Sequence, residues 1–258
     1  MSGQVHLQID GALAFVSLSS AGKFNAMSRA MWVQLRVVFE DLQARSDLRV
    51  VVIRGTDGHF CAGGDISEYA AFRHVEASLR AFHEEEVWGA LEAMLACDIP
   101  VIAQIDGHCM GAGMEIASAC DLRLASSAAR FGAPIARLGF PMAPREAALL
   151  LRVAGEATLR EMLLSAAVLE APVLLQRGFL NELHAAADLQ GVVQRKAEAM
   201  ARLAPQAARM NKATLRALGA SDTRHVPEAL LATAYAYADS AEHREGIAAF
   251  AAKRSPQF

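Results

Sequence analysis

The amino-acid sequence predicts an α/β fold with a helical region at its C-terminal end. Strand-like apolar runs alternate with loops and helix-like stretches up to about residue 145, and beyond it the apolar spacing is almost wholly helical. A length of 258 residues exceeds one average domain but is short for two full-sized ones. We therefore predict an α/β core over residues 1–190 and a helical region over residues 191–258.

The first predicted elements are a β-hairpin and a helix. Apolar residues alternate with polar ones over residues 5–9 and again over 13–18, and Asp10-Gly11 between them is a typical hairpin turn. Ser28 is a predicted N-cap, because apolar residues recur after it at helical spacing. These residues are Met31, Leu35, Phe39 and Leu42.

The rest of the chain continues the alternation and then becomes helical. The predicted elements, in order, are a strand over 49–54, a glycine-rich loop over 55–65, a helix over 84–96, strands over 101–105 and 121–125, and helical stretches over 186–218 and 226–252. The glycines at 107, 111 and 113 again place a loop directly after a strand.

Composition and charge exclude several functional classes. Hydrophobic residues make up 53% of the chain, and 25 Lys and Arg stand against 28 Asp and Glu, which argues against a general binder of nucleic acid or anionic membranes. The four cysteines are irregularly spaced without a CxxC pair, which favours reduced thiols and a cytoplasmic location. No zinc motif, membrane-spanning run or secretory signal is predicted.

Two glycine-rich loops are the strongest candidates for a functional site. They cover residues 60–65 and 107–115, and each follows a predicted strand. Glycine lets the backbone approach a ligand closely, and the free N–H groups at a helix start favour a negative oxygen. We predict that Ala62 and Ala112 each donate one backbone N–H to a single oxyanion, because both are small and lie beside glycine.

Glu115 is the candidate acid/base residue. It follows Ala112 by three positions, so the two residues share one face if a helix starts near Ala112. The alternative is a solvated first-turn carboxylate that interacts with the helix dipole. A dinucleotide-binding loop is disfavoured, because Ile116 stands where the third glycine of GxGxxG belongs, and no P-loop sequence occurs.

Several motifs in a fixed order resemble one known family. They are Lys23-Phe24-Asn25-Ala26, the strand 49–55 with residues 59–66, residues 99–107, residues 111–115 with 119–123, residues 131–134, Leu138-Gly139, and residues 250–258. Together they are similar to the crotonase superfamily, also called the enoyl-CoA hydratase/isomerase family, over nearly the whole chain.

The resemblance implies a spiral of ββα units and a C-terminal helical region that forms trimers, often paired into hexamers. It implies an acyl-CoA substrate, as in fatty acid metabolism, with the thioester carbonyl between the N–H groups of Ala62 and Ala112, and no permanently bound cofactor. The resemblance also implies a CoA-binding set made of Lys23, Phe24, Ala26, Ala62, Asp65, Ile66, Phe250 and Lys253, the last two in the same or a neighbouring subunit. Lys23 and Lys253 are equally explained as solvated surface lysines.

One position departs from the family pattern. Hydratases of the family carry a second glutamate directly after the segment that is Phe131–Pro134 here, and this chain has Ile135 instead. Isoleucine neither orients water nor donates a proton, whereas a 1,3-proton shift needs only one carboxylate. The candidates for a compensating group are Arg137, Arg145, Glu146, His108 and Glu68, and the sequence does not rank them.

Three interpretations therefore stand. The first is an enoyl-CoA hydratase/isomerase-type enzyme that uses Glu115. The second is a related enzyme that catalyses dehydration, decarboxylation or thioester hydrolysis on a carboxylated or hydroxylated acyl-CoA. The third is a protein that binds CoA thioesters, or assembles with a partner, with little catalysis.

Overall fold

The computed structural model describes residues 3–220, 233–238 and 240–258. The helical prediction over 226–252 lies in part outside these residues, and the described part contains the helix Ala241–Ala251. Among the described residues, no helix is long and apolar enough to cross a membrane.

Most of the strands form one mixed sheet. Its six strands, in spatial order, are β1 (Gln4–Asp10), β2 (Leu13–Ser19), β3 (Val50–Gly55), β4 (Val101–Ile105), β6 (Leu122–Ser126) and β9 (Glu182–His184). The β1–β2 pair is antiparallel and all the other pairs are parallel. Three short strands form a second sheet: β5 (His108–Met110), β7 (Arg130–Gly132) and β8 (Val168–Glu170).

Helices cover the main sheet and continue into the C-terminal region. They are α1 (Arg29–Gln43), α2 (Glu76–Ala81), α3 (Trp88–Ala96), α4 (Ala112–Ser118), α5 (Pro144–Ala154), α6 (Glu156–Leu164), α7 (Ala171–Gln176), α8 (Ala186–Ala201), α9 (Pro205–Ala220) and α10 (Ala241–Ala251). Short 3-10 helices cover Ile66–Ala71 and Pro134–Leu138, and a π-helical turn covers Phe82–Val87.

The predicted N-terminal elements are confirmed. The hairpin turns at Gly11 with a φ of 56°, which favours glycine. The Ser28 hydroxyl accepts a hydrogen bond from the Met31 N–H at 3.3 Å, as an N-cap does. The predicted strands before both glycine-rich loops are present as β3 and β4. Strands β5, β7, β8 and β9 are too short to give an alternating pattern, and the sequence did not predict them; β5 lies within the predicted loop over 107–115.

The core lies on both faces of the main sheet. Alternate residues of β2 point to opposite faces, so Val16 and Leu18 pack with α1 and α3 while Phe15 packs with α8. On the α8 side, Leu189 and Val193 are buried against the sheet. The predicted boundary between residues 190 and 191 therefore falls inside a helix that packs on the α/β core.

Candidate active site

The two glycine-rich loops meet at the end of the main sheet where strands β3 and β4 finish. Strands β3 and β4 are parallel neighbours, so the loops that follow them leave the sheet side by side. The Cys61 N–H donates to the His108 carbonyl at 2.8 Å, and the Met110 N–H donates to the Cys61 carbonyl at 2.9 Å. Gly113 has no room for a side chain, because a Cβ there would lie 2.6 Å from the Cys61 carbonyl oxygen. The close approach of the loops thus explains this glycine.

The backbone N–H groups of the two loops differ in whether they are free to bind a ligand. Ala112 is the first residue of α4, and its N–H has no acceptor within the described chain. The N–H of Ala62 donates to the Phe24 carbonyl at 3.0 Å and is therefore already used. The N–H of Gly64 has no acceptor among the described residues, and Gly64 lines the same cavity as Ala112. The free donor in the first loop is thus two residues beyond the predicted one.

Glu115 lies one helical turn after Ala112 and lines this cavity. Its carboxyl group makes no hydrogen bond within the described chain, and its remaining accessible surface faces the cavity. Burial, with a further contribution from the charge of Glu146, raises the pKa of Glu115 to about 8. The carboxyl group is therefore mostly protonated at neutral pH, which does not fit the alternative of a solvated carboxylate.

The cavity has a volume of about 300 Å³, and the wall around Glu115 is largely apolar. Ile135 lies in this wall, so no carboxylate occupies the position where the family pattern has one. Tyr69 covers the first loop, and a Cβ at Gly64 would lie 2.2 Å from the Tyr69 hydroxyl oxygen. The side chain of Arg73 is held between two rings, 4.3 Å from the Tyr69 centroid and 3.8 Å from that of Phe140.

Three polar side chains form a hydrogen-bonded row at this wall. A guanidinium nitrogen of Arg73 lies 3.3 Å from Nε2 of His83, and Nδ1 of His83 lies 3.0 Å from Oε1 of Glu146. Glu146 is 2% exposed, whereas Arg73 and His83 both line the cavity. Sequence reasoning missed Arg73 and His83, because His83 lies 63 positions before Glu146 and residues so far apart share no local pattern.

The other candidates for a compensating group have other partners. Glu68 accepts from the Arg29 N–H at 2.8 Å, and Arg145 pairs with Glu84 at 3.0 Å. His108 contacts another histidine ring through Nδ1, and Arg137 donates to a backbone carbonyl at 3.0 Å. Of the five candidates, Glu146 is thus the buried carboxylate whose charge affects Glu115.

The residues of the implied CoA-binding set fall into two groups. Lys23 donates to Asp65 at 2.6 Å beside the first loop, where Phe24 is 53% exposed and Ala26 is buried. Ile66 lies on the rim of the cavity. Phe250 and Lys253 do not line the cavity of Glu115: Phe250 lines a separate groove between α9 and α10, and Lys253 follows α10. No group of three or more potential metal ligands occurs among the described residues.

A parallel-strand core whose two glycine-rich loops enclose a partly buried carboxyl group defines a protein with a crotonase-like fold. The model of the enoyl-CoA hydratase/isomerase family matches residues 8–258, and the chain belongs to this family. A probable enoyl-CoA hydratase of Mycobacterium tuberculosis (strain CDC 1551 / Oshkosh) is 29% identical over 252 residues, covering 96% of this chain and 95% of the relative.

A further relative in sequence and one solved structure are also similar to this chain over nearly its whole length. The 2,3-dehydroadipyl-CoA hydratase of Escherichia coli (strain K12) is 29% identical over 250 residues, covering 94% of this chain and 93% of that protein. The crystal structure of an enoyl-CoA hydratase/carnithine racemase from Magnetospirillum magneticum superposes with a TM-score of 0.94 at 35% identity, covering 98% of this chain and 94% of the other.

Proposed function

We propose that this protein is an enoyl-CoA hydratase/isomerase-type enzyme that acts on an acyl-CoA thioester through an enolate. The observation that carries the proposal is the position of Glu115, a partly buried acid that lines the cavity one helical turn after the free N–H of Ala112. Membership of the family supports an acyl-CoA substrate. A CoA-thioester binding protein would not need an acid with a raised pKa beside the site.

The proposed oxyanion hole consists of the N–H groups of Gly64 and Ala112. Negative charge develops on the thioester oxygen when the α-carbon loses a proton or when water adds to the β-carbon. Two fixed N–H donors stabilise this charge, and the loss of one such donor typically costs about 3 kcal/mol. Gly64 replaces Ala62 in this role because the Ala62 N–H is bonded to Phe24.

Glu115 is the proposed proton-transfer residue at the α-carbon. As a carboxylic acid it protonates the enolate, and as a carboxylate it removes the α-proton. The apolar surroundings and, to a smaller extent, the charge on Glu146 favour the acid form, whereas Arg73 favours the carboxylate. A single group that serves both directions is sufficient for a 1,3-proton shift.

The test is incubation of a panel of acyl-CoA thioesters with the enzyme in D₂O, followed by mass spectrometry. We expect deuterium at the α-carbon, and we expect Glu115→Gln to lower its incorporation by about 10²–10⁴-fold while substrate binding changes only a few fold. Full exchange in Glu115→Gln would show that another residue is the base. Binding without exchange or turnover of any thioester would favour the binding-protein interpretation.

A carboxylated acyl chain is a second candidate for the substrate. Arg73 lines the acyl cavity, its Nε is buried without a hydrogen-bond partner among the described residues, and it makes no ion pair with a described carboxylate. A relative that is named a 2,3-dehydroadipyl-CoA hydratase supports this candidate. Arg73→Met should lower the ratio of kcat/KM for a carboxylated enoyl-CoA to that for its uncharged analogue, and an unchanged ratio would reject the candidate.

We also propose that the chain assembles into a trimer or a hexamer and is cytoplasmic. Large apolar side chains are exposed on the C-terminal helices, with Leu215 at 70%, Ile247 at 60% and Phe250 at 87% exposure. Such exposure favours burial against neighbouring subunits. Light scattering at micromolar concentration tests this, and a monomer would contradict it.

A further inference from the structure

His83 is a cavity-lining group whose protonation form follows from its partners. Arginine has only hydrogen-bond donors, so Nε2 of His83 accepts from Arg73 at 3.3 Å and carries no proton. The ring proton of the neutral imidazole is then on Nδ1, which donates to Glu146 at 3.0 Å. His83 therefore presents a basic nitrogen in the cavity wall, held in this tautomer from both sides.

Charged side chains from several elements surround His83, and one of them, Arg73, contacts Nε2. Glu146 comes from the first turn of α5 and is 2% exposed, and its carboxylate accepts from Nδ1 of His83 at 3.0 Å. Arg73 approaches from the segment before α2, and Glu115 approaches from α4. Neighbouring Glu84 and Arg145 pair with each other at 3.0 Å and point to solvent.

The row formed by Arg73, His83 and Glu146 offers a base where Ile135 provides none. Hydration needs one acid and one base with environments that separate their protonation states. Glu115 is enclosed and near a second negative charge, which favours the acid form. His83 is neutral and lines the same cavity of about 300 Å³. One cavity thus contains an acid, Glu115, and a base, His83.

We propose that His83, oriented by Glu146, is the base that activates water, and that it replaces the second glutamate absent at Ile135. This proposal rests on the proposed function and extends it to hydration. His83 is the proposed catalytic residue, and Glu146 is a positioning residue that acts through it.

The proposed addition of water to the double bond conserves protons and electrons. Water takes the place of Arg73 as the donor to Nε2 of His83, which receives one of its protons while the oxygen bonds to the β-carbon. The π electrons of the double bond move to the thioester oxygen, which the N–H groups of Gly64 and Ala112 stabilise. The α-carbon then takes the proton of Glu115, and return of the proton from His83 to Glu115 through water completes the addition of one H₂O.

The experiment measures two rates on the same preparations. Deuterium exchange into butyryl-CoA reports proton transfer by Glu115 alone, because a saturated chain cannot be hydrated. Hydration of crotonyl-CoA reports both groups. We expect His83→Gln to lower hydration by about 10²–10⁴-fold and to keep exchange within a few fold. The exposed His74, changed to Gln, is the matched control and should alter neither rate.

Variants of Glu146 test the positioning role. Glu146→Gln should lower hydration and, because it removes a charge that disfavours the Glu115 carboxylate, should move the exchange profile to lower pH. Glu146→Asp keeps the charge and should restore part of the hydration. Equal losses of hydration in Glu146→Gln and Glu146→Asp would overturn the positioning role, and an unchanged exchange profile in Glu146→Gln would show that the charge of Glu146 does not act on Glu115.

The remaining outcomes separate this inference from the proposed function. Wild-type hydration in folded His83→Gln, or equal loss of hydration and exchange, would overturn the role of His83, with His83→Asn as a second variant if the first does not fold. A wild-type enzyme that exchanges butyryl-CoA but does not hydrate crotonyl-CoA would also overturn it and leave the proposed function intact. A wild-type enzyme without exchange on any thioester would overturn the proposed function itself.

Discussion

The two walls of the cavity are built in different ways. On the loop wall, Gly64 and Ala112 contribute backbone N–H groups, and Glu115 follows in the same segment as Ala112. In the second wall, the His83 side chain comes from the π-helical turn and is held by Glu146 of α5, which does not itself line the cavity. Backbone donors depend on strand ends and survive most side-chain changes, whereas a row of side chains is altered by one substitution. The reaction should therefore vary mainly through the second wall.

Removal of a backbone donor is the most direct test of the loop wall. Ala112→Pro should lower α-proton exchange by about 10²–10³-fold, because it removes one oxyanion donor at a helix position where proline is otherwise tolerated. Ala112→Gly keeps the N–H and is the control. Exchange is measured by mass spectrometry after the fold is checked by circular dichroism. Equal activity of the two variants would remove Ala112 from the oxyanion hole.

The pH dependence of exchange tests the electrostatic link between the walls. Removal of the α-proton requires the carboxylate, and the pKa of Glu115 is about 8, so the exchange rate should rise about tenfold between pH 7 and 9 and level off above. Initial rates of deuterium incorporation into butyryl-CoA give the profile. A rate that is flat from pH 6 to 9 would mean that Glu115 ionises well below neutrality.

The same pKa predicts a stability effect. Glu115 binds its proton more tightly in the folded chain than in the unfolded one, so its contribution is present at acid pH and is lost as pH rises towards about 8. Glu115→Gln lacks this loss. The free energy of unfolding of the variant, measured relative to that of the wild type, should therefore rise by about 1 kcal/mol from pH 6 to pH 7. Urea unfolding at both pH values measures the difference. A constant difference would show that the carboxyl group is not desolvated.

The smallest expected effect comes from placing a carboxylate at position 135 of the cavity wall. Ile135→Glu should raise crotonyl-CoA hydration a few fold in the wild type, where it adds a proton-transfer group to His83, and more in His83→Gln, where it replaces the group that was removed. Ile135→Gln matches the size without the acid. A buried unpaired carboxylate is costly, so thermal unfolding must be checked first. No gain in the His83→Gln background would mean that position 135 does not reach the substrate.

The sequence alone was sufficient for the elements that carry the loop wall. The strands before the loops, the helix start at Ala112 and the position of Glu115 follow from local spacing. Local patterns predict such features because a strand, its following loop and a helix start are contiguous in the chain. The family was likewise recognisable from motifs in fixed order, and the match over residues 8–258 confirms it.

The tertiary structure alone decided which donors are free and which groups face Glu115. Phe24 adopts a φ of 47°, and its carbonyl accepts the N–H of Ala62 across 38 positions, which leaves Gly64 as the free donor of the first loop. His83 and Glu146 meet only because the π-helical turn and the start of α5 pack together. Hydrogen bonds between distant segments depend on the packing of the whole chain, and no local spacing encodes them.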